Sequence, residues 1–200
     1  MSKVLLPVFF LLLTACAAKP PAIPVETASV DPGTTVTRGG EAEHALLGTP
    51  LRVGDPLPPV ELVDLNLRRV DPSTLRGEVL LISIVPSLDT QVCERQTHLL
   101  GEAKLPPGIR KLTISRDLPF AQKRFYDHTH FDDVLFLSDY QQANFGQATG
   151  LLVDRIYLLA RGLAVVDRDG IVRYLQVVPE LSHLPDMDAA IRKASELAAM

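Results

Sequence analysis

A run of seven residues, Val79 to Val85, constrains the fold more than any other stretch of the chain. Six of the seven are apolar and four are β-branched. A run without the alternation of a half-exposed strand is typical of a central strand that is buried on both faces. Such a strand needs other layers packed over each face of its sheet. The run therefore predicts an α/β domain with this strand near the middle of the sheet.

Predicted helices and strands alternate downstream of this run. They are helices over 92–103, 119–126 and 140–149, and strands over 109–115 and 134–137. Upstream, a short strand is predicted over 51–53 and a strand pair within 60–70. The alternation favours parallel strands joined by crossover helices.

The last third of the chain predicts an antiparallel hairpin and a closing helix. Asp169-Gly170 lies between the apolar runs 163–167 and 171–178, and Asp-Gly in this position is a strong hairpin signal. An apolar stripe within 185–200 predicts a helix over one face of the sheet. The whole order of elements is the thioredoxin arrangement. We therefore predict a thioredoxin-like α/β fold, with a central mixed sheet flanked by helices.

The first residues of the chain have the parts of an export signal. Lys3 precedes an apolar run, Val4 to Leu13, and small residues follow. The run is shorter than the ~20 residues that a membrane-spanning helix needs, and Pro7 interrupts it. Residues 1–15 are therefore predicted to be a signal peptide rather than a permanent membrane span.

The end of this signal resembles the lipobox of bacterial lipoproteins. Leu13-Thr14-Ala15-Cys16 has the pattern, and in that class the cysteine becomes the acylated first residue. A plain signal peptide with an incidental Cys16 is the alternative. Residues 16–43 contain four prolines and show no periodicity, and we expect them to be a Pro-rich flexible tether before a domain over 44–200. These features predict a membrane-anchored lipoprotein of the bacterial cell envelope, facing the periplasm.

Composition excludes several classes of function. The net charge of −4 and pI near 5.7 argue against a nucleic-acid partner. Two cysteines cannot make a disulfide scaffold, and Cys93 has no Cys-x-x-Cys partner. His128 and His130 are close to two aspartates, but an exposed polar loop explains them better than a metal site. A solvated surface position is favoured for Arg116 and for His98. We expect no cofactor and no metal.

Cys93 is the candidate reactive group. It follows the predicted central strand and falls in the first turn of the next helix. The free N–H groups and partial positive charge of a helix N-terminus favour a thiolate there. A buried structural cysteine is the alternative. The strand-to-helix turn favours the reactive interpretation, since ligands bind at such turns in α/β folds.

Two strings of residues resemble the peroxiredoxin family. Pro86, Thr90 and Cys93 match its signature Pro-x-x-x-Thr-x-x-Cys. The wider string from Pro86 to Cys93, and the string Ser115 to Phe125, resemble the thiol peroxidase branch. The resemblance extends from about Gly48 to the C-terminus.

This resemblance implies a peroxide-reducing site. Cys93 would be the thiolate that attacks the peroxide, and Thr90 would hydrogen-bond the sulfur and the substrate. Pro86 would shield the sulfur from water. Arg161, in a stretch that looks like the family's second arginine-bearing strand, would stabilise the thiolate and the leaving oxygen. The product would be a sulfenic acid on Cys93.

One departure from the branch changes the expected mechanism. The branch usually has a resolving cysteine after the Arg-Phe of the second string, and here that residue is Tyr126. We therefore expect reduction by an external thiol or a thioredoxin-like partner, with a Cys93–Cys93 link between subunits as the rival. The resemblance also implies a homodimer. A redox-sensing or binding lipoprotein without turnover is the alternative function.

Overall fold

The computed structural model describes residues 22–40 and 43–200, so the signal peptide over 1–15 and Cys16 lie outside the described residues. In chain order, its strands are β1 (Val25–Glu26), β2 (Thr35–Val36), β3 (His44–Leu47), β4 (Leu62–Asp64), β5 (Arg69–Val70), β6 (Val79–Ile84), β7 (Ile109–Ser115), β8 (Val134–Ser138), β9 (Leu152–Val153), β10 (Gly162–Val166), β11 (Val172–Val177) and β12 (Leu184–Pro185). Its α-helices are α1 (Gln91–Glu102), α2 (Pro119–Thr129), α3 (Asn144–Thr149) and α4 (Met187–Ala198).

A seven-stranded sheet forms the centre of the domain, in the order β11-β10-β6-β7-β8-β4-β5. Strands β6, β7 and β8 are parallel, and β10 is antiparallel to β6 and to β11. Every residue of β6 is buried, as the sequence predicts for a central strand. Apolar clusters cover both faces of the sheet. The predicted mixed sheet and the hairpin at Asp169-Gly170 are thereby confirmed.

Helix α3 is shorter than predicted, because the Asp139 carboxylate caps it several residues after the predicted start at residue 140. Both oxygens of Asp139 accept backbone N–H groups, from Phe145 and Gly146, at 3.0 Å each. Ala143, just before the helix, has a left-handed φ of 56°. The chain therefore turns over residues 140–143 and the helix begins only at Asn144. The short strand expected over 51–53 is also absent.

The segment 22–40 packs on the domain, which corrects the expectation of a flexible tether over 16–43 for these residues. Strand β1 pairs in parallel with β12, and β2 pairs with β3. Val36 is buried in the core. Prolines exclude a helix or a long ladder here, but they permit two-residue edge strands. The packed body of the domain therefore begins before residue 44.

Candidate active site

The turn between β6 and α1 buries Cys93. Strand β6 ends at Ile84, Pro86 is buried in the turn, and Thr90 is the N-cap residue of α1. Cys93 lies in the first turn of α1 with no solvent exposure. The sulfur is therefore held at the carboxyl end of the central strand, as the sequence predicts.

Strand register brings Arg161 to this sulfur from far along the chain. Gly162 at the start of β10 pairs with Ile84 at the end of β6. Arg161, one residue earlier, places Nη2 at 3.3 Å from the Sγ of Cys93. The structure thus brings together Cys93 and Arg161, which only the family resemblance had joined.

Gln96 completes this buried network and was not identified from the sequence. Its Oε1 accepts a hydrogen bond from Arg161 Nη1 at 2.8 Å. Its Nε2 donates to Ser83 Oγ at 2.9 Å and lies 3.2–3.3 Å from the carbonyl oxygens of Ile84 and Gly162. A buried amide with both ends bonded fixes the guanidinium. The available signal was a glutamine one turn after Cys93 on the same helix.

Arg161 is a buried cation in direct contact with the Cys93 sulfur. Arg161 is only 2% exposed, and its Nε donates to the Leu181 carbonyl oxygen at 2.9 Å. Its hydrogen-bond partners in the described part of the chain are two neutral oxygens and the Cys93 sulfur. A buried cation is costly unless a negative group compensates it. Among these three partners, the Cys93 sulfur is the one that can carry a negative charge.

Thr90 has a different contact from the one that the resemblance implies. Its side chain is exposed, and Oγ1 donates to the Ser87 carbonyl oxygen at 3.2 Å rather than to Cys93. It makes no side-chain bond to the free N–H groups at the start of α1. The first turn of α1 therefore lacks the stabilisation, typically ~1 kcal/mol, of a side-chain cap.

A second polar network holds the loop that precedes α1. Asp117 accepts hydrogen bonds from Ser87 Oγ, Leu88 N and Ser115 Oγ, each at 2.7 Å. Gln122 donates through Nε2 to Ser115 Oγ at 3.0 Å. These residues come from the string over 115–125. That string therefore positions the active-site loop without touching the sulfur.

Arg116 is not the solvated surface residue expected from the sequence. Its guanidinium donates to three backbone carbonyl oxygens, of Asp139 at 3.1 Å, Tyr140 at 3.0 Å and Tyr157 at 2.8 Å. Arg116 therefore stabilises the loop before β10, and this loop leads into Arg161.

A cavity of about 220 Å³ opens beside this site. Pro86, Thr90 and Arg161 line it together with one residue from the N-terminal segment and several aliphatic side chains. The lining residues are Arg38, Pro86, Thr90, Val92, Ile156, Leu158, Arg161, Leu181 and Ser182. Three of the four residues predicted to be catalytic therefore face one cavity, next to the buried Cys93.

Comparison with known proteins places this arrangement in a family. The family model for redoxins matches residues 52–191. This chain belongs to the redoxin family. The thiol peroxidase of Staphylococcus aureus (strain MRSA252) is 41% identical over 159 residues, which cover 79% of this chain and 96% of that protein. The thiol peroxidase of Listeria innocua (serovar 6a) is 41% identical over 152 residues, or 76% of this chain and 92% of that one.

The solved structures similar to this redoxin share its fold. The crystal structure of a peroxiredoxin-like protein from Aquifex aeolicus has a TM-score of 0.76 and 34% identity, and the match covers 82% of this chain and 96% of that one. The thioredoxin-like fold predicted from the order of elements is thus confirmed, together with the resemblance to the thiol peroxidase branch.

Two other residues singled out in the sequence, Tyr126 and His98, lie outside the network around Cys93. Tyr126 donates its hydroxyl to Asp132 Oδ1 at 2.6 Å, and this hydrogen bond raises the pKa of Tyr126. His98 pairs with Glu102 and packs against Phe125.

His128 lies in α2 and His130 caps it, so the histidines do not form the loop that was expected. Over residues 22–40 and 43–200, no group of three His, Cys, Asp or Glu side chains is arranged to hold a metal. In the same two ranges, no helix combines the length and the apolar character needed to cross a bilayer.

Proposed function

We propose that the protein is a thiol-dependent peroxidase that reduces hydrogen peroxide or organic hydroperoxides through Cys93. The observation that carries this function is the 3.3 Å contact between Arg161 Nη2 and the buried Cys93 sulfur. The guanidinium stabilises the thiolate before attack and the oxygen that leaves during attack. The neighbouring cavity gives the substrate room beside the guanidinium that contacts the sulfur.

The reaction is a displacement at oxygen. The Cys93 thiolate attacks the terminal peroxide oxygen, so an S–O bond forms as the O–O bond breaks. The leaving oxygen takes a proton and departs as water or an alcohol. The sulfur loses two electrons and becomes a sulfenic acid.

An external thiol completes the cycle. Cys93 is the one free cysteine in the described part of the chain, and Tyr126 has no thiol to offer. The first external thiol attacks the sulfenic sulfur, releases water and forms a mixed disulfide. A second thiol then frees Cys93 by exchange. The physiological reductant in this proposal is a small thiol or a thioredoxin-like protein.

The peroxide and the reductant both reach the sulfur only after a local opening, because Cys93 is fully buried. The first turn of α1 is suited to open, since Thr90 leaves its N–H groups uncapped. If the same opening exposes the sulfurs of two subunits of a homodimer, a Cys93–Cys93 disulfide competes with the external thiol.

We also propose that the enzyme is a lipoprotein anchored through Cys16 and facing the periplasm. Eight residues, 17–24, separate Cys16 from Val25, the first residue of β1. Even fully extended, that distance is at most ~30 Å. The anchor would therefore hold the domain close to the bilayer. In cells, Cys16→Ala should leave an uncleaved precursor or move the protein to the soluble fraction; normal processing with unchanged membrane fractionation would contradict the anchor.

Peroxide consumption by Cys93→Ser tests the enzymatic proposal. Wild-type protein with an external thiol should consume many equivalents of peroxide, and the Ser variant none. Consumption that stops at one equivalent would favour a redox sensor without turnover. Equal consumption by wild type and the Ser variant would contradict any role for Cys93.

A further inference from the structure

The cavity beside Cys93 contains a second cation that the family motifs do not include. Arg38 lines it together with Arg161, and Arg38 precedes the matched family region, residues 52–191. It belongs to the N-terminal segment that packs on the domain. The wall of the cavity is therefore completed by a part of the chain outside the matched redoxin region.

The two arginines differ in their exposure. Arg161 is 2% exposed, whereas Arg38 is exposed to solvent. Arg161 thus lies at the floor of the cavity and Arg38 at its mouth. The lining residues that complete its apolar wall are Val92, Ile156, Leu158 and Leu181. The cavity offers a buried cation, an aliphatic wall and an outer cation in one space.

Glu180 fixes the backbone on both sides of Arg38. It accepts hydrogen bonds from Thr37 Oγ1 at 2.8 Å, Gly39 N at 2.8 Å and Gly40 N at 3.0 Å. The backbone N–H of Thr37 also donates to the Pro179 carbonyl oxygen at 2.7 Å. Arg38 therefore extends from an anchored backbone, which lowers the entropic cost of binding an anion.

The Glu180 carboxylate is engaged by donors other than Arg38. Besides the three donors above, Glu180 accepts from the N–H and hydroxyl of Ser182. These bonds lower the pKa of Glu180 to about 2 against the effect of partial burial. Within the described residues, its oxygens take no hydrogen bond from Arg38. Glu180 thus leaves the guanidinium of Arg38 unoccupied.

The size of the cavity points beyond hydrogen peroxide. Its volume of about 220 Å³ far exceeds the ~10–15 Å³ of such space that one water molecule needs. Hydrogen peroxide has two heavy atoms, so most of the aliphatic wall would remain uncovered. A short aliphatic chain would cover it and exclude water from the reacting oxygens.

We propose that Arg38 is a specificity-determining residue that selects hydroperoxides of aliphatic carboxylic acids. The hydroperoxide group lies at Cys93, the chain follows the aliphatic wall, and the carboxylate meets Arg38 at the mouth. This inference rests on the proposed peroxidase function, since it names the substrate class of the same site. Arg38 is not needed for the displacement itself, so the reduction of hydrogen peroxide does not depend on it.

Matched substrates and variants test this selectivity. The kcat/KM values of a hydroperoxide of a medium-chain carboxylic acid and of its methyl ester are measured for wild type, Arg38→Gln and Arg38→Lys. Arg52→Gln is the control, because Arg52 is exposed and lies outside the cavity. The acid-to-ester ratio should fall about three- to tenfold in Arg38→Gln, the range of an exposed charge-assisted contact. It should recover in part in Arg38→Lys, and hydrogen peroxide should react equally well with all variants.

Two results would overturn the role of Arg38. One is an acid-to-ester ratio that is unchanged in Arg38→Gln. The other is an equal fall in Arg52→Gln, which would show a general effect of net charge.

A binding measurement separates this inference from the peroxidase proposal. Octanoate and methyl octanoate have no O–O bond, and calorimetry on Cys93→Ser protein measures their affinity without chemistry. Tighter binding of octanoate, lost in Arg38→Gln, supports the carboxylate site even if no hydroperoxide is turned over. Equal octanoate affinity in the Arg38 variant and its parent overturns the site even if peroxidase activity is intact.

Discussion

Two polar networks flank the loop between β6 and α1, and they differ in what they contact. The first joins Arg161 and Gln96 to the Cys93 sulfur. The second joins Asp117 and Gln122 through Ser115, and it contacts only the loop at Ser87 and Leu88. The first network therefore supplies charge at the sulfur, and the second supplies position.

This difference separates two kinds of contribution to catalysis. A cation beside the reacting atoms acts most strongly as charge develops in the transition state. A network that fixes a loop acts through alignment, and its loss also affects folding. Variants in the two networks should therefore differ in the balance between lost activity and lost stability.

Among variants of the two networks that keep Cys93, the largest loss of activity is expected for Arg161→Met. Removing the donor beside the sulfur should lower kcat/KM for hydrogen peroxide ~10²–10³-fold, as for other transition-state donors. Arg116→Met is the matched control, since Arg116 donates only to backbone carbonyl oxygens. Stopped-flow peroxide consumption measures both. Comparable losses of kcat/KM in the two variants would show that holding the cavity wall in place matters more for the rate than the charge beside the sulfur.

Asp117→Ala should give the second largest loss of activity and a clear loss of stability. Three donors lose their acceptor, and a single unsatisfied buried donor costs ~1–3 kcal/mol. Displacement of the loop should lower kcat/KM up to ~10²-fold. Urea denaturation and kinetics on the same samples give both values. Full activity in a destabilised variant would mean that the network serves folding alone.

Gln96→Glu tests the first network more finely. A carboxylate 2.8 Å from Arg161 Nη1 would compete with the thiolate for the guanidinium. We expect kcat/KM to fall about tenfold, the equivalent of ~1.4 kcal/mol. Gln96→Leu provides the comparison, since it removes the bond to Arg161 without adding a charge. A faster reaction in the Glu variant than in the Leu variant would argue against competition for the guanidinium.

The smallest effect on hydrogen peroxide reduction is expected for Glu180→Gln, because Glu180 belongs to neither network. Its pKa of about 2 in the folded protein lies below the ordinary value of 4.5. The stabilisation it provides is therefore full above about pH 4.5 and is lost as the pH falls towards 2. Urea denaturation should show wild type more stable than the variant at pH 7, with the difference shrinking below pH 4.5. A difference in stability that does not change with pH would contradict stabilisation by the ionised Glu180 carboxylate.

The parts of the fold with a strong periodic signal were predictable from the sequence. The buried run became β6, and Asp-Gly marked the hairpin between β10 and β11. The strands β1 and β2 have two residues each, which is too short for a periodic signal. Strand β1 pairs with β12, more than a hundred residues away, and β2 contributes a single buried residue, Val36. The start of α3 depends on the tertiary position of Asp139, which local propensity does not contain.

The site was predictable in part. The position of Cys93 after the central strand and a family motif both indicated it, and the family resemblance alone indicated Arg161, whereas Gln96 and Arg38 were not predicted. The bond of Gln96 to Arg161 spans 65 residues of sequence, and Arg38 enters the cavity through pairing of the N-terminal segment. Both roles follow from strand register and edge pairing, so only the folded chain shows them.

The rate at which Cys93 gains one oxygen atom tests the central claim most directly. One equivalent of hydrogen peroxide is added to the reduced protein with a sulfenic-acid trap, and intact mass is followed over time for wild type and Arg161→Met. The account predicts one trapped adduct per chain, located at Cys93, which forms at least ~10²-fold more slowly in the variant. Equal rates in the two proteins, or an adduct at another residue, would contradict it.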